Sequence, residues 1–332
     1  MNSVFLIYAP KLRSNAAGVK VLHLLCHYLN CNGFESYLVL HSGWNSHIKK
    51  KNNLNIKIMT RRVFKSFKLQ NRNFVVIYPE SVTYNPLSAK EFATYFLNLP
   101  GSLISDNNRY LSIGIAYTEL IRRELGLPTD STLFIPSTTV DDFSQVSKQR
   151  SGSALYLGKY RDFHAMSSEI SKSSIKFYRN GRNRISRSNM LRQIGEIEFI
   201  TVFENTSVIL ESLLLGTPVQ TIFNQNFKYL FSEQELGSYG CFEHIEDLAK
   251  AKKEIPLFLH RYREIENELN NSVKRIGDLL DRQVSCSISE IKISLHIIMV
   301  FRHNWIMFKK AVSNIGARRT LLIALRRFGM LK

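Results

Sequence analysis

The stretch Ile200–Ile222, ITVFENTSVILESLLLGTPVQTI, decides the fold. Ile200–Phe203 is mostly apolar and reads as a buried strand, the elbow Glu204-Asn205-Thr206-Ser207 is polar, and Val208–Leu215 reads as a largely apolar helix. Gly216 stops that helix and Pro218 opens another strand, Val219–Phe223. Glu204 therefore sits where a strand turns into a helix, the edge at which open α/β sheets bind ligands. Glu211 lies one turn inside the helix and shares a face with Ser207. Its neighbours Ile209, Leu210, Leu213 and Leu214 require a packed helix, so a Glu on it has to point at something. Asn205, Thr206 and Ser207 also suit an ordinary N-cap cluster.

The same alternation of strand and helix extends in both directions. Ser3–Ala9, a helix over Ala17–Asn32 stopped by Gly33, and Glu35–Leu40 make a Rossmann-like opening. Gly18, at the loop-to-helix junction, allows a ligand to approach backbone N–H groups. A G-x-G-x-x-G fingerprint is absent, so this half does not read as an NAD site. Asn55–Met59, Phe74–Tyr78 and Thr132–Ile135 are expected strands, with a helix near Ala89–Leu97. Glu80 follows one strand and Asp106 a short apolar run, which makes both candidate bases at a cleft. Polar Val140–Ser153 reads as a linker. The second half begins with Ala154–Leu157 and Ile175–Tyr178, and ends in a long helix over Pro256–Leu279.

Composition narrows the class. The 332 residues are 44% hydrophobic, enough for two domains with cores, and no apolar run approaches a membrane span. No basic residue precedes the apolar Ser3–Ala9, while Lys11 and Arg13 follow it, which is the wrong order for a signal peptide. A cytoplasmic protein, peripheral at the inner membrane, is expected. The four cysteines form no C-x-x-C pair. His23, His27 and Cys31 share a helix spacing, but one helix cannot wrap a tetrahedral ion, so a polar helix face is expected rather than a metal site.

The net charge of +18 is concentrated. Nine cations, from Lys49 to Arg72, stand in the acid-free span between Glu35 and Glu80, and eight more follow Met299, beyond the last acid, Glu290. Ile298, Phe301, Trp305, Phe308, Val312 and Ile315 follow helical spacing, and Leu321, Leu322, Leu325 and Phe328 continue as a second stripe between Arg pairs. This basic amphipathic C-terminal arm suits an anionic membrane surface. Residues 298–315 alternatively pack across the domains. A nucleic-acid partner fits less well, because the ordered stripe suits a bilayer better than a groove.

The segment around Glu211 resembles the donor-binding segment of GT-B glycosyltransferases. There one Glu opens the segment, a second grips the donor ribose, and Gly-x-Pro-Val closes it. Glu211 and Gly216-Thr217-Pro218-Val219 match; Glu204 stands seven residues before Glu211, one short of the family spacing. Tyr78-Pro79-Glu80, Asn85-Pro86 and Pro100-Gly101 resemble the first domain of bacterial surface-polysaccharide enzymes of O-antigen, capsule or lipopolysaccharide synthesis.

The resemblance implies a GT-B fold: two Rossmann-like domains facing across a cleft, residues 1–139 on the acceptor side and 154–283 holding the donor. Residues 140–153 would be the linker and 284–332 the crossover helices and membrane arm. It implies transfer of a sugar from a nucleotide-sugar donor to a lipid-linked or nascent polysaccharide acceptor at the cytoplasmic membrane face, without metal or cofactor. In that reading Lys159 and Arg161, after Gly158, face the donor phosphates, and Arg179 and Arg182 add to them. Glu211 takes the ribose hydroxyls, and Asn205, Thr206, Ser207 and Gly18 line the donor. Glu204, Asp106 and Glu80 are the candidate catalytic acids. Retention would need a carboxylate or donor phosphate beneath the anomeric carbon; inversion would need a base such as Glu80 or Asp106, and the shifted Glu204 leaves both open. The residues leave the sugar and linkage open as well. A basic nucleic-acid-binding protein, or a GT-B-shaped subunit without catalysis, are the alternatives. A Glu211 locked in a buried salt link, or turned from the cleft, would sink the donor-binding reading.

Overall fold

The computed structural model of the chain describes residues 3–13, 16–41, 54–82, 85–99, 113–143, 150–158, 174–179, 183–225, 227–284 and 286–287. Its first half contains β1 (Val4–Ala9), α1 (Ala17–Cys31), β2 (Glu35–Leu40), α2 (Arg61–Leu69), β3 (Asn73–Pro79), β4 (Ala93–Phe96), β5 (Ile113–Ala116) and α3 (Glu119–Leu125). The second half contains β6 (Ser153–Leu157), β7 (Ser174–Tyr178), α4 (Arg187–Ile194), β8 (Phe199–Val202), α5 (Ser207–Leu214), β9 (Val219–Thr221), α6 (Glu233–Leu236) and β10 (Cys241–Phe242). The chain closes with α7 (Leu248–Gln283) and β11 (Cys286–Ser287).

Among the described residues, the first sheet runs β2-β1-β3-β4-β5, all parallel, with β11 added antiparallel at the start of β3. The second runs β10-β9-β8-β6-β7, also parallel. Renumbered from its own first strand, the second sheet repeats the order of the first. Each half is thus a doubly wound sheet, whose order reverses beside its first strand. The first sheet is covered on both faces, as a parallel sheet must be. Phe5, Ile7 and Ala9 of β1 enter the core under α1 and the end of α7, while Val4, Leu6 and Tyr8 enter the core under α2.

The long helix α7 ties the halves together. Ile255, Phe258 and Tyr262 pack in the second core, whereas Leu269, Val273, Ile276 and Leu280 pack in the first. Its 36 residues reach about 54 Å, enough to span both domains. The helix begins at Leu248 rather than at Pro256, where proline would have made a natural first-turn residue. Pro256 and Lys252 are both exposed, so water can satisfy the carbonyl that proline leaves without a donor.

Other expectations are corrected. Ala89–Leu97 is not a helix: Ala93–Phe96 is β4, held between β3 and β5. Asn55–Met59 and Thr132–Ile135 each make a single bridge instead of a strand. Leu133 and Ile135 still alternate with Phe134, so the first two join the first core and Phe134 the second. The decisive segment forms as read: Thr206 caps α5, and Gly216 closes it in the left-handed region at φ 77°. The C-terminal arm, Ile298–Lys332, lies outside the described residues. No described helix is long and apolar enough to cross a membrane. Two parallel α/β domains facing across a cleft are the GT-B architecture expected from the sequence.

Candidate functional site

Both sheets end their strands at one cleft of about 880 Å³. The first domain contributes Pro10 after β1, Pro79 at the end of β3 with Glu80 after it, Leu97 and Asn98 after β4, and the first turns of α1. The second contributes Tyr178 and Arg179 from β7 and its end, Arg184, Arg187, and the elbow and first turn of α5. These are the positions to which the reversal of strand order in a doubly wound sheet brings ligands.

The second-domain wall is built on a close approach between two strand ends. Gly158 follows β6, and a Cβ there would lie 2.2 Å from the Cδ of Glu204, which follows β8. Only glycine leaves room for that carboxylate, which is 3% exposed and lies 3.8 Å from the Arg179 guanidinium. Glu204 is packed against this strand end and is not among the cleft-lining residues. Its neighbour Asn205 braces the wall: its amide donates to Tyr229 O at 2.7 Å, and its carbonyl accepts from Phe231 N at 3.0 Å. The Thr206 hydroxyl accepts from Val208 N at the cap.

Glu211 lines the cleft and is 1% exposed. Its Oε1 accepts from Arg187 Nη2, so of the two conditions stated to sink donor binding the buried salt link is met, while the turn away from the cleft is not. Arg187 lines the same cleft, so the pair forms part of its wall instead of lying behind it. Its Oε2 has no hydrogen-bond partner among the described residues. Burial raises the Glu211 pKa, while the charges of Arg187 and Lys20 and a hydrogen bond from Ser207 oppose the rise. Lys20 belongs to α1, so this carboxylate feels cations from both domains.

On the first-domain wall, Gly18 lies in the first turn of α1, with a Cβ position 3.3 Å from Leu97 Cδ1. That helix start has no side-chain cap and no acid in its first turn, so its N-terminal dipole faces the cleft uncompensated by its own turn. Glu80 also faces the cleft, but its oxygens accept from Leu97 N at 3.1 Å and Asn98 Nδ2 at 2.6 Å. It fastens the end of β4 to the end of β3.

The two halves also meet beside the cleft. Glu235 of α6 accepts at Oε1 from Glu119 N, the first residue of α3, at 2.6 Å, while Oε2 has no partner among the described residues. Burial pushes the Glu235 carboxyl up to about 7. Nearby, Tyr262 of α7 donates to Thr138 O at 2.7 Å.

Lys159, Arg161, Arg182 and Asp106 lie outside the described residues. The structure brings Glu80, Gly18, Arg179, Asn205, Thr206, Ser207 and Glu211 to one cleft and leaves Glu204 beside it. Sequence reasoning assigned no role to Arg184, Arg187 or Lys20. The helical histidines do not share a face toward a metal. His23 is 1% exposed and bonds Pro10 O, while His27 accepts from Asn55 N. Among the described residues no group of three or more His, Cys, Asp or Glu is placed to hold a metal ion.

No protein-family model and no curated protein matches the chain. Solved structures do. T4 phage BGT in complex with UDP and Mn2+ aligns at 6% identity over 84% of this chain and 99% of its own, with a TM-score of 0.48. The glycosyltransferase SnogD from Streptomyces nogalater aligns at 10% identity over 84% and 100%, with a TM-score of 0.45. WaaG, a glycosyltransferase involved in lipopolysaccharide biosynthesis, aligns at 11% identity over 84% and 99%, with a TM-score of 0.39.

Proposed function

We propose that the protein is a glycosyltransferase whose second domain holds a nucleotide-sugar in the cleft. The observation that carries this reading is Glu211: a buried carboxylate in the cleft wall with one oxygen bonded to Arg187 and the other without a hydrogen-bond partner among the described residues. A buried acceptor left unsatisfied costs about 1–3 kcal/mol, which a ligand hydroxyl can offset. A ribose supplies such hydroxyls, and Arg187, already bonded to Glu211, would keep the carboxylate oriented toward them. Arg179, Arg184 and Arg187 line the same wall and suit a diphosphate, because guanidinium forks match phosphate oxygens. As the sugar–phosphate bond breaks, charge grows on the leaving nucleotide, and cations fixed in place stabilise it without needing a metal.

In this reading Lys159 and Arg161 extend the phosphate site from the turn after Gly158. Glu204 positions the donor wall through its contact with Gly158, and Glu80 holds the first-domain wall. The acceptor enters on the side of residues 1–139 and is lipid-linked or a nascent surface polysaccharide, presented at the cytoplasmic face of the membrane. The support is electrostatic: an acid-free span from Glu35 to Glu80 puts nine cations on that domain.

Thermal stabilisation and hydrolysis measured against a panel of nucleotide-sugars and nucleoside diphosphates test the proposal. At least one nucleotide-sugar should raise Tm and be slowly hydrolysed. No response to any of them, together with tight binding of short nucleic acid at physiological salt, would remove the enzyme reading.

A further inference from the structure

The helix α2 (Arg61–Leu69) presents a basic face to solvent. Thr60 caps it, and Phe64 and Phe67 turn inward to stack on Phe74 of β3. Arg61, Arg62, Lys65 and Lys68 are exposed, and none has a carboxylate partner among the described residues. In the second domain exposed cations are mixed: Arg192, Lys250, Lys252 and Arg261 pair with glutamates, whereas the unpaired ones among the described residues are not grouped four to a nine-residue helix. Amid the α2 cations stands Leu69, 89% exposed, the most exposed of the described large hydrophobic residues. It lies four residues after Lys65 and seven after Arg62, on the same face of the helix.

We infer that this face of α2 is a membrane-docking surface for a bilayer rich in anionic lipid. Unpaired cations meet headgroup phosphates, while a protruding leucine enters the boundary of the acyl region, where apolar area gains from leaving water. A phosphodiester backbone would use the cations but has no place for Leu69, and the aromatic rings that could stack on bases are committed to the core. The surface lies on the first domain, the side proposed to receive the acceptor. The inference rests on the membrane-face reading above and locates part of that contact in the folded domain, separate from the C-terminal arm.

The test uses the full chain and cosedimentation with phosphatidylcholine vesicles, with and without phosphatidylglycerol. The wild type should bind the anionic vesicles only. Arg62→Gln with Lys65→Gln should weaken that binding about twenty-five-fold, at roughly a fivefold loss per cation removed. Leu69→Ser should weaken it by about tenfold, and Lys252→Gln, whose cation is already paired, should leave it unchanged. All variants should keep the wild-type Tm and the wild-type response to nucleotide-sugars, which reports on the cleft separately. A wild type that ignores both vesicle types overturns the membrane-face reading and this inference together. Binding by the wild type that the α2 variants match overturns this inference alone. So does a pattern in which those variants lose only the binding of duplex DNA at physiological salt.

Discussion

Glu80 and Glu211 face one cleft from opposite walls, and each looks in sequence like an acid poised for a ligand. The fold treats them differently. Both oxygens of Glu80 accept from groups at the end of β4, so the carboxylate works as a strut between neighbouring strand ends. Glu211 sits deeper, is held by Arg187 at one oxygen, and keeps acceptor capacity at the other. Exposure would have suggested the reverse ranking, because Glu80 is the more open of the two. On the proposed reading, a carboxylate suited to binding differs from a structural one in unused hydrogen-bonding capacity, not in access to water.

The sharpest way to break this contrast is Glu211→Ala. Loss of charge-assisted hydrogen bonds to a ribose should weaken nucleotide-sugar affinity about a hundredfold, by calorimetry or by titrated thermal shift. Glu80→Ala should leave that affinity within about threefold. Equal losses in the two variants would sink the contrast.

Gly158→Ala probes what holds the donor wall. A methyl group 2.2 Å from the Glu204 carboxyl carbon has to displace a buried side chain or the backbone. We expect a loss of about 2 kcal/mol in denaturant unfolding, and the double variant with Glu204→Ala should recover part of it. Without that recovery, the contact is not what demands glycine.

Glu80→Ala itself should cost about 1–2 kcal/mol of stability, since Leu97 N–H and the Asn98 amide lose their acceptor. Unchanged urea unfolding would show that the strut is dispensable.

The last effect concerns the seam between the halves and appears only as pH changes. The Glu235 carboxyl titrates at about 7 in the fold, against about 4.3 in an unfolded chain. Between these values the folded chain holds a proton that the unfolded chain has released. Its contribution to stability is therefore complete at low pH and is lost as pH rises through 7. Glu235→Gln keeps an acceptor for Glu119 N without the titration. Relative to wild type it should gain roughly 2–3 kcal/mol between pH 5 and pH 8, read from unfolding curves. A gap between wild type and variant that stays constant with pH would reject this account.

Much of the second domain was legible because its signals are local. Thr206 can cap a helix and Gly216 can take a left-handed conformation whatever surrounds them, so β8, the elbow, α5 and β9 fall close to where the sequence puts them. The first domain was harder. Ala93–Phe96 is a strand because β3 and β5 flank it and Tyr95, fully buried, donates to Leu133 O at 2.5 Å. Those partners are remote in sequence, and tertiary pairing overrides local preference at such short segments. Pro256 misled in the other direction, since a proline on the exposed side of a long helix need not start it.

The site divides along the same line. Hydrophobic periodicity, caps and stops are properties of neighbouring residues, so the sequence by itself determined two α/β units, the elbow after β8 and the concentration of cations in the first domain. Which acids face the cleft, and which still have an open oxygen, depends on groups from distant strands. Only the tertiary structure could tuck Glu204 against Gly158, tie Glu80 to Asn98, and set Arg187 and Lys20 around Glu211. Hydrogen bonding and desolvation act over a few ångströms in space, and the folded chain alone decides which residues come that close.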